Sequence, residues 1–237
     1  MSSEIPRTRR RPTHRKGRPT LTRELIGRAA LTAISRDGPT ALRMRALADE
    51  LGVSPRALYN YVTDQREVLA LALGVAQDDA PEPRLDPADW QDSLRGYCQE
   101  LRAWYRRHAG LVALAMSGQF AALPGPQPTL ARHQDAVLEF LLRIGLSPEG
   151  ALRAYQQMIL LIAGFTEFYD SWHDRPPPGV DPSEWDTVPP QVRDAATRLD
   201  APHLRRVVAE AGPQHPDELF GSTVDMLVAW LERTLEG

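Results

Sequence analysis

The chain has 237 residues, 42% hydrophobic and 25% charged, with one cysteine and a formal net charge of -3, the make-up of an ordinary globular protein with no extreme class indicated. The lone Cys98 excludes an internal disulfide and a cysteine-cluster zinc site. The charge is unevenly spread: residues 1–70 hold fourteen Lys/Arg against seven Asp/Glu, and residues 71–237 hold fourteen against twenty-four, so a basic first third sits on an acidic body.

Residues 1–20 carry Arg7, Arg9, Arg10, Arg11, Arg15, Lys16 and Arg18 among prolines and almost nothing apolar. Such a segment cannot offset its ordering entropy by burial, so a disordered basic arm able to neutralise phosphates is expected. Thr22 then caps a helix whose face combines Leu25, Ile26, Ala29, Ala30, Ala33 and Ile34, ended by Asp37-Gly38-Pro39.

Residues 42–61 read as two short helices with a tight turn. Met44, Leu47, Ala48 and Leu51 make one apolar stripe, Gly52 ends it, and Ser54-Pro55 opens the next helix with an N-cap and a proline at the first position. Val53 and Leu58 face inward, leaving Arg56, Ala57, Tyr59, Asn60 and Tyr61 on a helix too short to stand alone. That pattern suits a plain helical hairpin, and equally a helix presented to a DNA major groove, for which a basic first third is the expected electrostatic footprint. Asp64 with Glu67 three residues later starts a fourth helix through Val68, Leu69, Leu71, Ala72 and Val75, which leads to a composition break at residues 78–87. The expected division is an arm at 1–20, a helix-turn-helix head with its linking helix at 21–76, and a helical body at 77–237.

In the body, residues 89–108 place Trp90, Leu94, Tyr97, Leu101, Trp104 and Tyr105 at helical spacing. A short apolar helix follows at 111–120, a loop is expected around Pro124, Pro126 and Pro128, and a helix at 134–144. Ser147-Pro148-Glu149 opens a helix to about Trp172, apolar nearly all round between Met158 and Phe165, and so buried on every side. Its companion is a helix near 217–235. Either both lie in one core, or Ile159, Ile162, Ala163, Val224, Leu227 and Leu231 form a four-helix interface with a second copy. Six prolines between residues 174 and 190 exclude a helix there, and one or two short helices broken at Pro202 follow. No strand-like alternation stands out, so the fold class is all-α.

The frame Gly38, Leu42, Arg45, Leu47-Ala48, Leu51-Gly52-Val53, Leu58-Tyr59, Tyr61-Val62 and Leu69 resembles the head of the TetR family of one-component transcriptional regulators. The resemblance implies Arg45, Arg56, Ala57, Asn60 and Tyr61 near bases, and Ser54 and Tyr59 on phosphates. Arg suits guanine and Asn adenine. The chain departs from the family pattern at Arg43-Met44, Tyr61 and Gln65; Arg43 brings a cation to the DNA side, and Gln65 stands where many members carry a lysine.

The resemblance also implies a homodimer on a palindromic double-stranded operator, most often a repressor, released when a small-molecule effector in the body shifts the fourth helix. Trp104, Tyr105, His108, Met116, Phe120, His133, Phe140, Tyr155, Met158 and Phe165 are the candidate effector-lining residues. His108, His133 and His173 sit in no catalytic or metal-binding motif, so no enzyme activity, cofactor or metal is expected. The longest apolar run, residues 158–165, is far short of the roughly eighteen residues a membrane span needs, and a cytoplasmic protein is expected.

Overall fold

The computed structural model describes residues 20–116, 123–125, 127–176, 178–179, 181, 190–210 and 215–236. Among them there is no strand, and the chain is all-α. The basic arm, except Thr20, lies outside the described residues, as does most of the proline-rich stretch.

Helix α1 (Arg23–Asp37) starts where the Thr22 hydroxyl accepts from the Leu25 N–H at 3.1 Å, and it buries Ile26, Ala30 and Ile34. A short 3-10 turn at Pro39–Ala41 leads to α2 (Met44–Glu50), α3 (Pro55–Leu58) and α4 (Gln65–Gln77). The first and fourth helices meet backbone to backbone. A Cβ on Gly27 would sit 2.8 Å from the Leu71 carbonyl oxygen, so any larger residue would push α4 away from α1.

Helix α5 (Trp90–Arg107) buries Leu94, Tyr97, Cys98, Leu101 and Trp104 and packs with α8 (Pro148–Phe165) and α12 (Pro216–Glu236). Cys98 is fully buried, and desolvation pushes its thiol up to about 12, which makes it an inert core group. Helix α6 (Leu111–Met116) starts after Gly110, whose φ is +93° and whose added Cβ would meet the Ile34 carbonyl oxygen at 2.6 Å. That close approach seats the α5–α6 corner on the end of α1. Helix α7 (Pro128–Arg143) begins six residues before the expected Gln134. Pro128 is its first residue, where a missing N–H breaks no helical bond, and it is not part of a loop.

Helix α8 runs on through a π-helical turn at Thr166–Asp170 into α9 (Ser171–Asp174). The turn directs Asp170 onto Arg102, both almost wholly buried, with bonds of 2.8 Å from Nε and 2.6 Å from Nη2. Arg102 also donates to Asp217 on α12 at 2.9 Å, and its guanidinium lies 5.0 and 4.6 Å from the Phe165 and Phe220 ring centroids. A fully paired buried arginine thus ties α5, the end of α8 and α12 together. Helices α10 (Pro190–Arg198) and α11 (Pro202–Glu210) pack chiefly on each other, with Pro202 opening the second of them.

Candidate nucleic-acid interface and internal cavity

Local capping chemistry builds the head. The Val53 N–H returns to the Ala48 carbonyl at 2.9 Å across a turn in which Gly52 takes φ +65°. The Ser54 hydroxyl accepts from the Ala57 N–H at 3.3 Å, and Pro55 occupies the first helical position. Leu58, fully buried, pins the helix to the core. Regular α-helix stops there, and tighter turns carry the chain on, with the Tyr61 N–H on the Leu58 carbonyl at 2.8 Å. Asp64 caps α4 by accepting from the Glu67 N–H at 3.0 Å, and Glu67 reaches back to the Thr63 N–H at 2.6 Å. Both carboxylates lie below their ordinary range, chiefly because of those backbone N–H bonds.

The outward face carries Arg43, Arg45, Ser54, Arg56, Tyr59 and Asn60 exposed, with Ala57 and Gln65 half-buried. Tyr61 departs from expectation: it is half-buried against the hydrophobic core, and its carbonyl accepts from Arg23. Arg43 folds back onto the Thr40 and Leu42 carbonyls, at 2.5 and 2.9 Å, and offers no side-chain cap to α2. Neighbouring cations are neutralised, Arg23 by Glu67 at 2.6 Å, Arg28 by Glu24 at 2.7 Å and Arg66 by Asp64 at 3.0 Å. Among the described residues, Arg45 and Arg56 have no such partner. Among the described residues the head therefore presents, beside one short helix, two guanidinium groups with neither a carboxylate nor a carbonyl partner, and in Arg43 a third with carbonyl partners alone, the chemistry that phosphate or guanine contact requires.

A cavity of about 160 Å³ lies among α4, α5, α6, α7 and α8. Trp104, Tyr105, His133 and Tyr155 line it as expected. Phe140, Met158 and Phe165 instead fill the core, with 2 to 6% exposure. His108 faces Asp79, 2.7 Å from Nε2, rather than the cavity. Phe120 and the Met116 side chain lie outside the described residues. Sequence reasoning missed Leu73 and Gln77 from α4, together with Tyr97, Leu101 and Gln134. Tyr97 and Leu101 stand three to eight residues before Trp104 and Tyr105 on one helix face, and that spacing could have found them.

The cavity touches the last turn of α4. The Trp104 indole N–H donates to the Ala76 carbonyl at 3.0 Å and to Asp79 Oδ1 at 3.2 Å. Burial works against the Asp79 carboxylate, yet the hydrogen bonds from His108 and Trp104 outweigh it and hold its pKa below the ordinary range.

Two family models cover almost the whole chain. The one for bacterial regulatory proteins of the tetR family matches residues 26–72, and the one for the tetracyclin repressor-like C-terminal domain matches residues 82–235. The chain belongs to the TetR family. It is 28% identical over 247 residues to the HTH-type transcriptional repressor DrrR1 of Streptomyces coeruleorubidus, a match spanning 97% of this chain and 81% of that protein. It is 27% identical over 219 residues to the class C tetracycline repressor protein of Escherichia coli, spanning 90% and 91%. Among solved structures, ActR of Streptomyces coelicolor in complex with actinorhodin has the same fold, with a TM-score of 0.70 at 22% identity over 92% of this chain and 100% of that one. This chain is accordingly a DNA-binding transcriptional regulator with a helix-turn-helix head and an all-helical C-terminal domain.

Four of the expected interface residues of this TetR-family chain serve its own core. Ile162, Val224, Leu227 and Leu231 are at most 6% exposed within one subunit, so they have no surface left for a second copy. Ile159 is half-buried and lines the cavity, and Ala163 is half-buried. Helix α8 is not buried on every side. Leu152 and Leu160 on it are 50% and 73% exposed, Phe168 in the π-helical turn 62%, and Met226 on α12 68%. On these helices the outward apolar side chains are Leu152, Leu160 and Met226 rather than the residues of the predicted stripe. Among the described residues, no helix is long and apolar enough to cross a membrane.

Proposed function

We propose that this TetR-family protein is a ligand-responsive repressor that binds a palindromic operator as a homodimer and lets go when a small molecule enters the internal cavity. One observation carries the reading: Trp104 lines the cavity with its ring and holds the last turn of α4 with its indole N–H. A ligand that displaces the ring moves that turn, and α4 carries α1 with it through the backbone contact at Gly27. In a dimer, the movement changes the spacing of the two α3 helices, which must fit successive major grooves about 34 Å apart.

Several features support the parts of this reading. Residues 21–76 act as the reader and 77–237 as the ligand-binding and dimerising body. Arg45, Arg56 and Asn60 read base edges while Ser54 and Tyr59 hold phosphates, a division that suits their exposure. Arg43 must leave the Thr40 carbonyl to contact DNA. The outward apolar residues Leu160 and Met226 are where the second subunit docks. DrrR1 and the class C protein are named as repressors, and ActR was solved with actinorhodin bound.

Titration of the purified chain against DNA from upstream of its own coding sequence, and against random DNA of equal length, tests the proposal. A regulator of this kind discriminates by roughly a thousandfold or more. Equal affinity for both would make it a sequence-nonspecific binder instead.

A further inference from the structure

We propose that the cavity selects a small, uncharged aromatic molecule, of one ring and carrying a hydrogen-bond-accepting oxygen, with the aryl ketones as the simplest members of the class. The inference rests on the reading of this cavity as the effector site.

Size is the first argument. A volume of about 160 Å³ is close to that of engineered apolar cavities that take up benzene, and far below the space a fused multi-ring compound fills. The shape of the walls is the second. Trp104 and Tyr105 meet edge to face with centroids 5.0 Å apart, and Tyr97 and Tyr155 add two further rings, so a flat π system finds aromatic faces and edges on several sides.

Charge is the third. Among the described lining residues there is no Asp, Glu, Lys or Arg. A carboxylate or ammonium entering the cavity would lose its hydration and meet no carboxylate, ammonium or guanidinium counter-charge, and the one imidazole on the wall, His133, already faces the Glu82 carboxylate. Glu82 approaches His133 Nε2 from outside at 3.5 Å, but its side chain is 60% exposed and it does not line the cavity.

The tyrosine hydroxyls and glutamine amides that line the cavity can each donate a hydrogen bond. Burial raises the Tyr97, Tyr105 and Tyr155 phenols, Tyr105 to about 12, so all three keep their O–H at neutral pH. Gln134 engages the Tyr155 hydroxyl. Among the described residues the Tyr97 and Tyr105 hydroxyls engage no hydrogen-bond partner, and the buried His133 Nε2 on the same wall is likewise without one. Two free O–H donors beside edge-to-face rings fit a carbonyl oxygen on an aromatic frame, and an acceptor left unmet would forfeit most of that advantage.

Isothermal titration of the full chain with four probes of one size tests this: acetophenone, ethylbenzene, benzoate and benzylammonium. Acetophenone should bind with a Kd on the order of 0.1–1 mM, the range for a ligand this small, and at least about tenfold tighter than the two ions. The double variant Tyr97→Phe/Tyr105→Phe, verified as folded by circular dichroism, should bind acetophenone no better than ethylbenzene. Benzoate or benzylammonium matching acetophenone, ethylbenzene matching it on the native chain, or no binding by any probe would each overturn the proposal. Operator release, followed by fluorescence anisotropy in the same samples, separates the two levels. Acetophenone bound without release would sink the effector-site reading and leave the ligand class standing, whereas release by benzoate but not by acetophenone would do the reverse.

Discussion

Replacing Trp104 with phenylalanine keeps an aromatic ring against the cavity and removes the indole N–H together with the volume of the second ring, whose loss adds a small cavity cost of its own. That N–H serves the Ala76 carbonyl at 3.0 Å, one of the last-turn carbonyls that a helix cannot satisfy from within, and Asp79 at 3.2 Å. Asp79 keeps His108 at 2.7 Å and stands half in solvent, so its loss is small; the Ala76 carbonyl is buried and left short of a donor. An orphaned buried acceptor costs about 1–3 kcal/mol. The same energy bounds how strongly the contact can fix the position of α4, a factor of roughly 5 to 150 in an equilibrium. Trp104→Phe should therefore lower unfolding stability by about 1–3 kcal/mol in urea, read by circular dichroism, and raise the operator Kd by about 5-fold or more in anisotropy titrations without ligand. Cys98→Ala supplies the control: it removes a buried core atom at a comparable cost of about 1 kcal/mol, far from the α4 terminus, and should leave DNA affinity alone. If Trp104→Phe lost stability yet bound operator like the native chain, Trp104 would be a core residue with no hold on the reader.

Arg56→Ala should cost about 1–3 kcal/mol of operator binding and relax specificity at one base position; an unchanged footprint would remove Arg56 from the interface. Deleting residues 1–18 takes away seven cations and should flatten the salt dependence of DNA binding, while an unaltered slope would make the arm a passive tail. Asp170→Ala leaves buried Arg102 with only the largely exposed Asp217 as counter-charge and should destabilise the chain by up to about 3–5 kcal/mol, measured as a shift in urea midpoint. Glu67 is held below its ordinary value of 4.5, so its contribution is fully present above that pH and is lost as the pH falls through the lower, folded-state value. Glu67→Gln should thus cost stability at pH 7 and converge with the native chain in strong acid; a constant difference across that window would show that the charge of the carboxylate adds nothing to the cap.

Much of the head was legible because its determinants lie within four residues of one another. Thr22, Ser54 with Pro55, and Asp64 with Glu67 each stand at the helix start that their side chains predict, and each makes the expected bond. The body was legible as helices and hardly at all as surfaces. Arg102 and Asp170 are 68 residues apart, and Arg102 and Asp217 are 115 apart, so no local pattern marks that arginine as buried. The cavity takes its wall from five helices, and nothing in the local pattern of the linking helix marks Gln77 as part of that wall. The apolar surround of α8 could not say which side faced the subunit's own core. Burial answers that: Ile162 is fully enclosed and Leu160, two residues earlier, points outward. Tyr61 looked like a reader by its neighbours Tyr59 and Asn60, but at the end of so short a helix the chain turns it back onto the core.

On the proposed reading, two copies of this short α3 read DNA at a fixed spacing. Selection of bound fragments from genomic DNA by the purified protein, followed by counting of chains per recovered site, tests it most directly. The account predicts an inverted repeat whose half-sites lie about one helical turn, 10–10.5 base pairs, or a multiple of it apart, occupied by an even number of chains. Recovered fragments that share no symmetric sequence, or single chains holding single half-sites with full affinity, would contradict it.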